Sequence, residues 1–303
     1  MMINNIESLL RKNKWFENPV FITGLPKSGT TLLMNLLDGH NEYLAMPFEP
    51  AFPEMLRFKR YYKNTDQMFW DWILELPYYL HITWEYSKYY NKGFYKRTEI
   101  LPNYQRINWK LIKKFCTSRK IKLKEELGID FDIYEYVKYF KDLVNCYKPT
   151  NEKELILLNL LSLKKHCIKN NKIKGWIFKN PSLRPFDTRA IDNFKKSFPG
   201  GKVVLIVRDP RAYFLSIRKT IYKKKRNNEG MNNFVWSFFR ELNMMEESYS
   251  ELVINNIFRN KDFHFVKYED LVTNPKKTIT KMCKDINVGF DQIFLKPTIF
   301  KKQ

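Results

Sequence analysis

The chain has 303 residues, enough for one large α/β domain or two small ones. With 44% hydrophobic and 28% charged residues it is a globular sequence, which excludes a disordered one. A formal net charge of +22 favours anionic partners such as nucleotides, sulfated or carboxylated polymers, nucleic acid or a membrane surface; a Lys excess spread over the surface by compositional bias accounts for it too.

In chain order, Met1 to Asn18 has charges interrupting its apolar residues and offers no signal-peptide core. The apolar run Val20–Thr23, bounded by Pro19 and Gly24, predicts a buried parallel strand. Leu32, Leu33, Leu36 and Leu37 then recur at helical spacing, with Gly39 placed to stop that helix. A second strand is expected at Tyr43 to Ala45. From about residue 52 to about 170 the pattern is aromatic, Lys-rich and helical, which predicts a large helical insertion. Strands resume at Gly175–Lys179, Lys202–Val207 and Phe263–Lys267. Helices are expected at about Pro185–Ser197, after Pro210, at about Met231–Phe258 and at Pro275–Ile286. This alternation predicts a parallel, doubly wound α/β sheet in a single domain over residues 1–303.

Nowhere do about 18 apolar residues run together, so no stable membrane span is expected and the location is expected to be cytoplasmic. Cys116, Cys146, Cys167 and Cys283 form no C-x-x-C pair and no His/Cys cluster of zinc spacing. Free buried thiols in a reducing compartment are the expectation.

The segment Gly24-Leu25-Pro26-Lys27-Ser28-Gly29-Thr30-Thr31 lies between the first strand and the first apolar helix. Glycines let backbone N–H groups turn inward, and a helix N-terminus adds positive potential, so the segment is suited to cradle a phosphate. It differs from the nucleoside-triphosphatase loop G-x-x-x-x-G-K-[ST], because Thr30 stands where the lysine belongs and the lysine present, Lys27, precedes Gly29 by two residues. A second constellation follows the fourth strand. Arg208 stands at its carboxyl end, where open α/β sheets bind ligands, and Ser216 follows about two helical turns later. Together they suit one further phosphate. Taken alone, Arg208 reads first as a helix-capping ion pair with Asp209; beside the phosphate-cradling loop, the phosphate reading is preferred.

These two segments resemble the sulfotransferases that use 3′-phosphoadenosine-5′-phosphosulfate (PAPS). Pro26-Lys27-Ser28-Gly29-Thr30-Thr31 is similar to the family's 5′-phosphosulfate loop, and Arg208 with Ser216 to its 3′-phosphate pair, spacing included. Tyr268-Glu269-Asp270-Leu271-Val272 with Asn274-Pro275 is similar to a strand-to-helix segment near the family's C-terminus. The likeness covers about residues 19–50 and 174–290 and is nearest in motif to the tyrosylprotein and glycan branches.

The resemblance implies a P-loop-like fold, PAPS as donor, 3′-phosphoadenosine-5′-phosphate (PAP) as product, and no metal. It implies nucleotide contacts from Lys27, Ser28, Gly29, Thr30, Thr31, Arg208, Ser216 and Tyr268. Lys27 is then the group that stabilises the bridging oxygen, and Lys179, in Phe178-Lys179-Asn180-Pro181, resembles a lysine that contacts the transferring group. The base must be a carboxylate or His beside the acceptor. Glu49, in Met46-Pro47-Phe48-Glu49-Pro50, resembles the catalytic glutamate of those two branches with its register slipped, and His40 is the rival. Thr220 stands where the tyrosylprotein branch has a third basic residue.

The expected partner is a hydroxyl-bearing acceptor, preferably a carbohydrate, with phenols, tyrosine and lipids as alternatives, and no nucleic acid. Trp70, Trp72, Trp84 and Tyr86 in the insertion would build the acceptor side or simply pack its helices. Two other readings stand beside this one. A P-loop nucleotide kinase would need the missing lysine. A non-catalytic binder of anionic polymers would use the net charge and the run Lys223-Lys224-Lys225-Arg226.

Overall fold

A computed structural model of the chain describes residues 5–46, 113, 117, 124–125, 131–167, 172–181, 188–222, 236, 239–240, 242–243, 246–247, 250 and 261–298. The Asn5 side chain accepts from Glu7 N at 2.8 Å and so caps α1, Ile6–Lys12. β1 spans Pro19–Gly24 with every residue buried, as a strand covered on both faces must be. α2, Thr30–Leu37, ends on Asp38. Gly39 follows that cap but is not left-handed, so the helix stops without the glycine cap its sequence suggests.

β2 is Tyr43–Ala45. Asp132 caps α3, Ile133–Tyr147, by accepting from Glu135 N at 3.1 Å, and α4 is Glu152–Cys167. β3 runs Gly175–Pro181, two residues beyond the predicted end. α5, Thr188–Ser197, leads to β4, Lys202–Val207, and α6, Pro210–Tyr222. The described residues between 236 and 250 are helical. β5, Phe263–Lys267, runs directly into α7, Tyr268–Thr273, and then α8, Pro275–Asp285. The strand order is β2-β3-β1-β4-β5. β4 lies parallel between β1 and β5, with Gly24 beside Ile206 and Ile206 beside Val266. β3 and β2 lie on one side of β1 and β4 and β5 on the other, so the direction of winding reverses at β1. A parallel α/β sheet carries its ligand site at the carboxyl ends of the strands at such a reversal.

The chain divides into two compact units. One comprises Met1–Phe16, Asn41–Trp176 and Thr298–Gln303. In it Phe16 stacks on Trp176 at 5.8 Å, and the Trp176 indole donates to Phe16 O at 2.8 Å. The helices α3 and α4 bury Tyr136, Val137, Phe140, Leu155 and Leu158, and the Asn159 side-chain amide donates to the Tyr136 hydroxyl at 2.5 Å.

The other unit comprises Glu17–His40 and Ile177–Pro297. Its core is aromatic. Phe21 of β1 stacks on Phe178 of β3 at 4.8 Å, and Phe194 of α5 tilts against both, at 5.3 and 5.8 Å. Such rings bury roughly 150–250 Å² each and dominate the energetics of a core.

Of the two cysteines whose side chains are described, one meets the expectation of a free buried thiol and one departs from it. Cys283 is a buried thiol, and burial pushes it up to about 12. Cys146 is exposed, because it falls on the solvent face of α3 opposite Tyr136, Phe140 and Val144. Cys116 and the Cys167 side chain lie outside the described residues. So do the named aromatic residues of the insertion and the run Lys223–Arg226.

Candidate functional site

The phosphate-cradle segment does form a tight loop between β1 and α2. At Gly24 a Cβ would stand 2.5 Å from Ile206 O of the neighbouring strand and 2.7 Å from Ser28 Oγ, so only glycine fits. Ser28 N donates to Leu25 O at 3.0 Å and closes the turn. Lys27 and Gly29 are both left-handed, at φ 72° and 104°. A side chain at residue 27 bears that conformation only at a cost of order 1–3 kcal/mol. The Lys27 side chain points outward and is exposed, while Ser28 and Thr30 are buried.

Gly29 is the N-cap of α2 and offers no side chain to its first amides. A helix start without a capping side chain is open to an anion. The Ser28 hydroxyl is buried beside it with no hydrogen-bond partner.

Arg208 leaves the end of β4 and reaches this loop. Its Nη1 donates to Lys27 O at 2.8 Å, 181 residues away in sequence. Its guanidinium carbon stands 4.3 Å from the ring centroid of Tyr268, the first residue of α7, a cation–π contact. Its Nε is buried and makes no hydrogen bond. The ring of Tyr268 also lies against Gly29, so Arg208, Tyr268 and the loop form one contiguous cluster.

The alternative pairing of Arg208 with Asp209 is not what the structure shows. The Asp209 carboxylate goes to Arg211, whose Nη2 is 2.6 Å from Oδ2. The hydrogen bond from the Arg211 side chain holds the Asp209 carboxyl down at about 2. Ser216 is the seventh residue of α6 and half-buried.

Lys179 is buried within β3, which continues through Pro181. Next to it, Asn180 O accepts from the Thr23 hydroxyl at 3.1 Å, tying the end of β1 to that of β3. His40 is buried, its Nε2 3.1 Å from Gly289 O and its ring stacked on Phe294 at 5.0 Å. Glu49 and the Thr220 side chain lie outside the described residues. Sequence reasoning missed two residues beside the cluster, Arg211 and Glu269. Arg211 lies between Arg208 and Ser216 in the sequence. Glu269 acts on Asp209, 60 residues away, through a bond that spacing does not signal.

Residues 19–292 match the sequence model of the sulfotransferase family. No curated protein matches the chain significantly. Among solved structures, the sulfotransferase domain from the curacin biosynthetic pathway is 17% identical, covering 92% of this chain and 77% of its own, with a TM-score of 0.49. The sulfotransferase domain from the Synechococcus PCC 7002 olefin synthase is 18% identical, covering 94% and 78%, with a TM-score of 0.49. Sulfotransferase STF1 from Mycobacterium tuberculosis H37Rv is 13% identical, covering 96% and 74%, with a TM-score of 0.42.

Proposed function

The chain belongs to the sulfotransferase family, and on that premise we propose that it moves the sulfuryl group of PAPS to a hydroxyl acceptor, preferably a carbohydrate. The observation that carries this reading is the hydrogen bond from Arg208 to Lys27 O, which joins a second anion-binding residue to the β1–α2 loop. Two buried polar atoms without partners, Ser28 Oγ and Arg208 Nε, fit a ligand that carries an anionic group at each place.

PAPS supplies the activated sulfuryl group and departs as PAP. The backbone amides of Ser28, Gly29, Thr30 and Thr31 hold the 5′-phosphate at the start of α2. Arg208 and Ser216 hold the 3′-phosphate, with Tyr268 flanking Arg208. Lys27 neutralises charge on the oxygen that bridges sulfur and phosphorus, and Lys179 contacts the transferring group. Glu49 takes the acceptor's proton as its oxygen bonds to sulfur and the bond from sulfur to the bridging oxygen breaks. The acceptor side is assigned to the insertion at about residues 52–170.

The test is transfer of radiolabelled sulfate from PAPS across sugars, phenols, tyrosine peptides and lipids. Label is expected in a sugar hydroxyl. Label in a phenol, peptide or lipid alone would overturn the acceptor class. Magnesium-dependent ATP turnover without sulfate transfer would overturn the reaction.

A further inference from the structure

We infer that Glu269 is a positioning residue of the nucleotide site, completing the N-terminal cap of α6 from a different helix and so fixing how Arg208 leaves β4. The inference rests on reading the Arg208 cluster as the 3′-phosphate half of a PAPS site.

The start of α6 explains the need. Asp209 is the residue before the helix. Its Oδ1 accepts from Arg211 N at 2.8 Å, and its carbonyl accepts from Tyr213 N at 2.9 Å. Pro210 is the first helical residue and has no N–H to satisfy. That makes Asp209 a well-formed N-cap with one donor still to place, its own amide. A self-contained capping box solves this with Glu or Gln at the third helical position, reaching back to the N-cap amide. Here that position is Ala212, which has no side-chain acceptor. The Asp209 carboxylate is already committed to Arg211. The acceptor comes instead from α7, where Glu269 Oε1 receives Asp209 N at 3.0 Å.

This split cap acts one residue from Arg208. On its N-terminal side Arg208 is fixed by the β4–β5 ladder, in which Val207 pairs with Lys267. On its C-terminal side it is fixed by the bond to Glu269. The same turn of α7 supplies the Tyr268 ring under its guanidinium. Neighbouring residues of α7 thus hold neighbouring residues of the β4–α6 junction, one through the backbone and one through the side chain. A planar guanidinium that receives phosphate on two N–H groups needs its root held in one direction. Glu269 supplies that without itself touching the ligand.

The experiment compares affinities for PAP and for adenosine 5′-monophosphate, which lacks the 3′-phosphate, by calorimetry on the full chain. Glu269→Ala is expected to lose on the order of tenfold for PAP and less than about twofold for the monophosphate, the scale of one lost hydrogen bond. Glu269→Gln keeps an acceptor oxygen and is expected to restore PAP affinity. Equal losses for the two nucleotides would mean a merely structural cap and would overturn the inference. So would an unchanged PAP affinity in Glu269→Ala, or failure of Gln to restore it. If Glu269→Ala does not fold, Glu269→Asp is used, since it keeps the charge but withdraws the carboxylate, and the same selective loss is expected. Wild-type protein that does not prefer PAP to the monophosphate would instead bring down the two-phosphate reading, and this inference with it.

Discussion

The ring of Tyr268 fills the space that a side chain at residue 29 would occupy: a Cβ on Gly29 would overlap Tyr268 Cδ2 and stand 2.9 Å from Cε2. Gly29 is also left-handed at φ 104°, which L-residues rarely adopt. Gly29→Ala therefore meets two obstacles, a clash with the Tyr268 ring and a clash of its Cβ with its own backbone. It is expected to destabilise the fold by roughly 1–3 kcal/mol and to abolish PAP binding. Adding Tyr268→Ala removes the overlap but not the backbone penalty, so only part of the stability returns. Denaturant titration of the single and double variants checks this, and full recovery in the double variant would contradict it.

Arg208 is held by geometry as well as charge. Arg208→Ala is expected to weaken PAP binding by about 100-fold or more, since a hydrogen-bonded ionic contact is lost from a partly buried site. Arg208→Lys keeps the charge but not the fork that reaches Lys27 O and lies on Tyr268. It is expected to recover less than half of the lost binding free energy. Calorimetry giving the lysine variant wild-type affinity would show that charge alone suffices.

Glu49→Gln is expected to leave PAP affinity unchanged and to lower the transfer rate by about 10²–10⁴-fold, the usual contribution of a positioned base. His40→Asn is the control. With its ring on Phe294 and its Nε2 by Gly289 O, it should alter stability more than rate. A rate collapse in the His40 variant with full activity in the Glu49 variant would exchange the two roles.

His264 on β5 carries a pH dependence. It is buried with Nδ1 2.5 Å from Asp285 Oδ2. Burial pushes its imidazole below the ordinary 6.5; Asp285 opposes that shift without cancelling it, and Lys281 adds to it. The unfolded chain then binds the proton more readily than the folded one, so stability falls as pH drops through the ordinary histidine range and is regained above it. Urea midpoints at about pH 5 and pH 7.5 should differ in wild type and converge in His264→Gln. An equal pH response in both proteins would remove His264 as the cause.

Local signals made much of the sheet legible in the sequence. β2, β4 and β5 have the bounds expected from the sequence, and β1 differs by one flanking residue at each end. The loop before α2 was legible for the same reason, since its glycines and the threonine pair are contiguous. Glu269 was not, because its bond to Asp209 closes over 60 residues and neither residue departs from an ordinary helix start. Nor was the pairing at the β4 exit. Arg208 and Arg211 both neighbour Asp209 in sequence, and the choice is made by Lys27 O and Tyr268, which draw Arg208 away. The end of β3 was not legible either: the apolar run stops at Lys179, whereas the strand carries on through Asn180 and Pro181.

The bond between Arg208 and Lys27 spans 181 residues of sequence. A ligand that needs both segments can bind only after β1 and β4 have aligned, late on a route limited by distant contacts. PAP added to refolding chains should then leave the folding rate nearly unchanged and slow unfolding instead, acting as a kinetic lock on the finished protein.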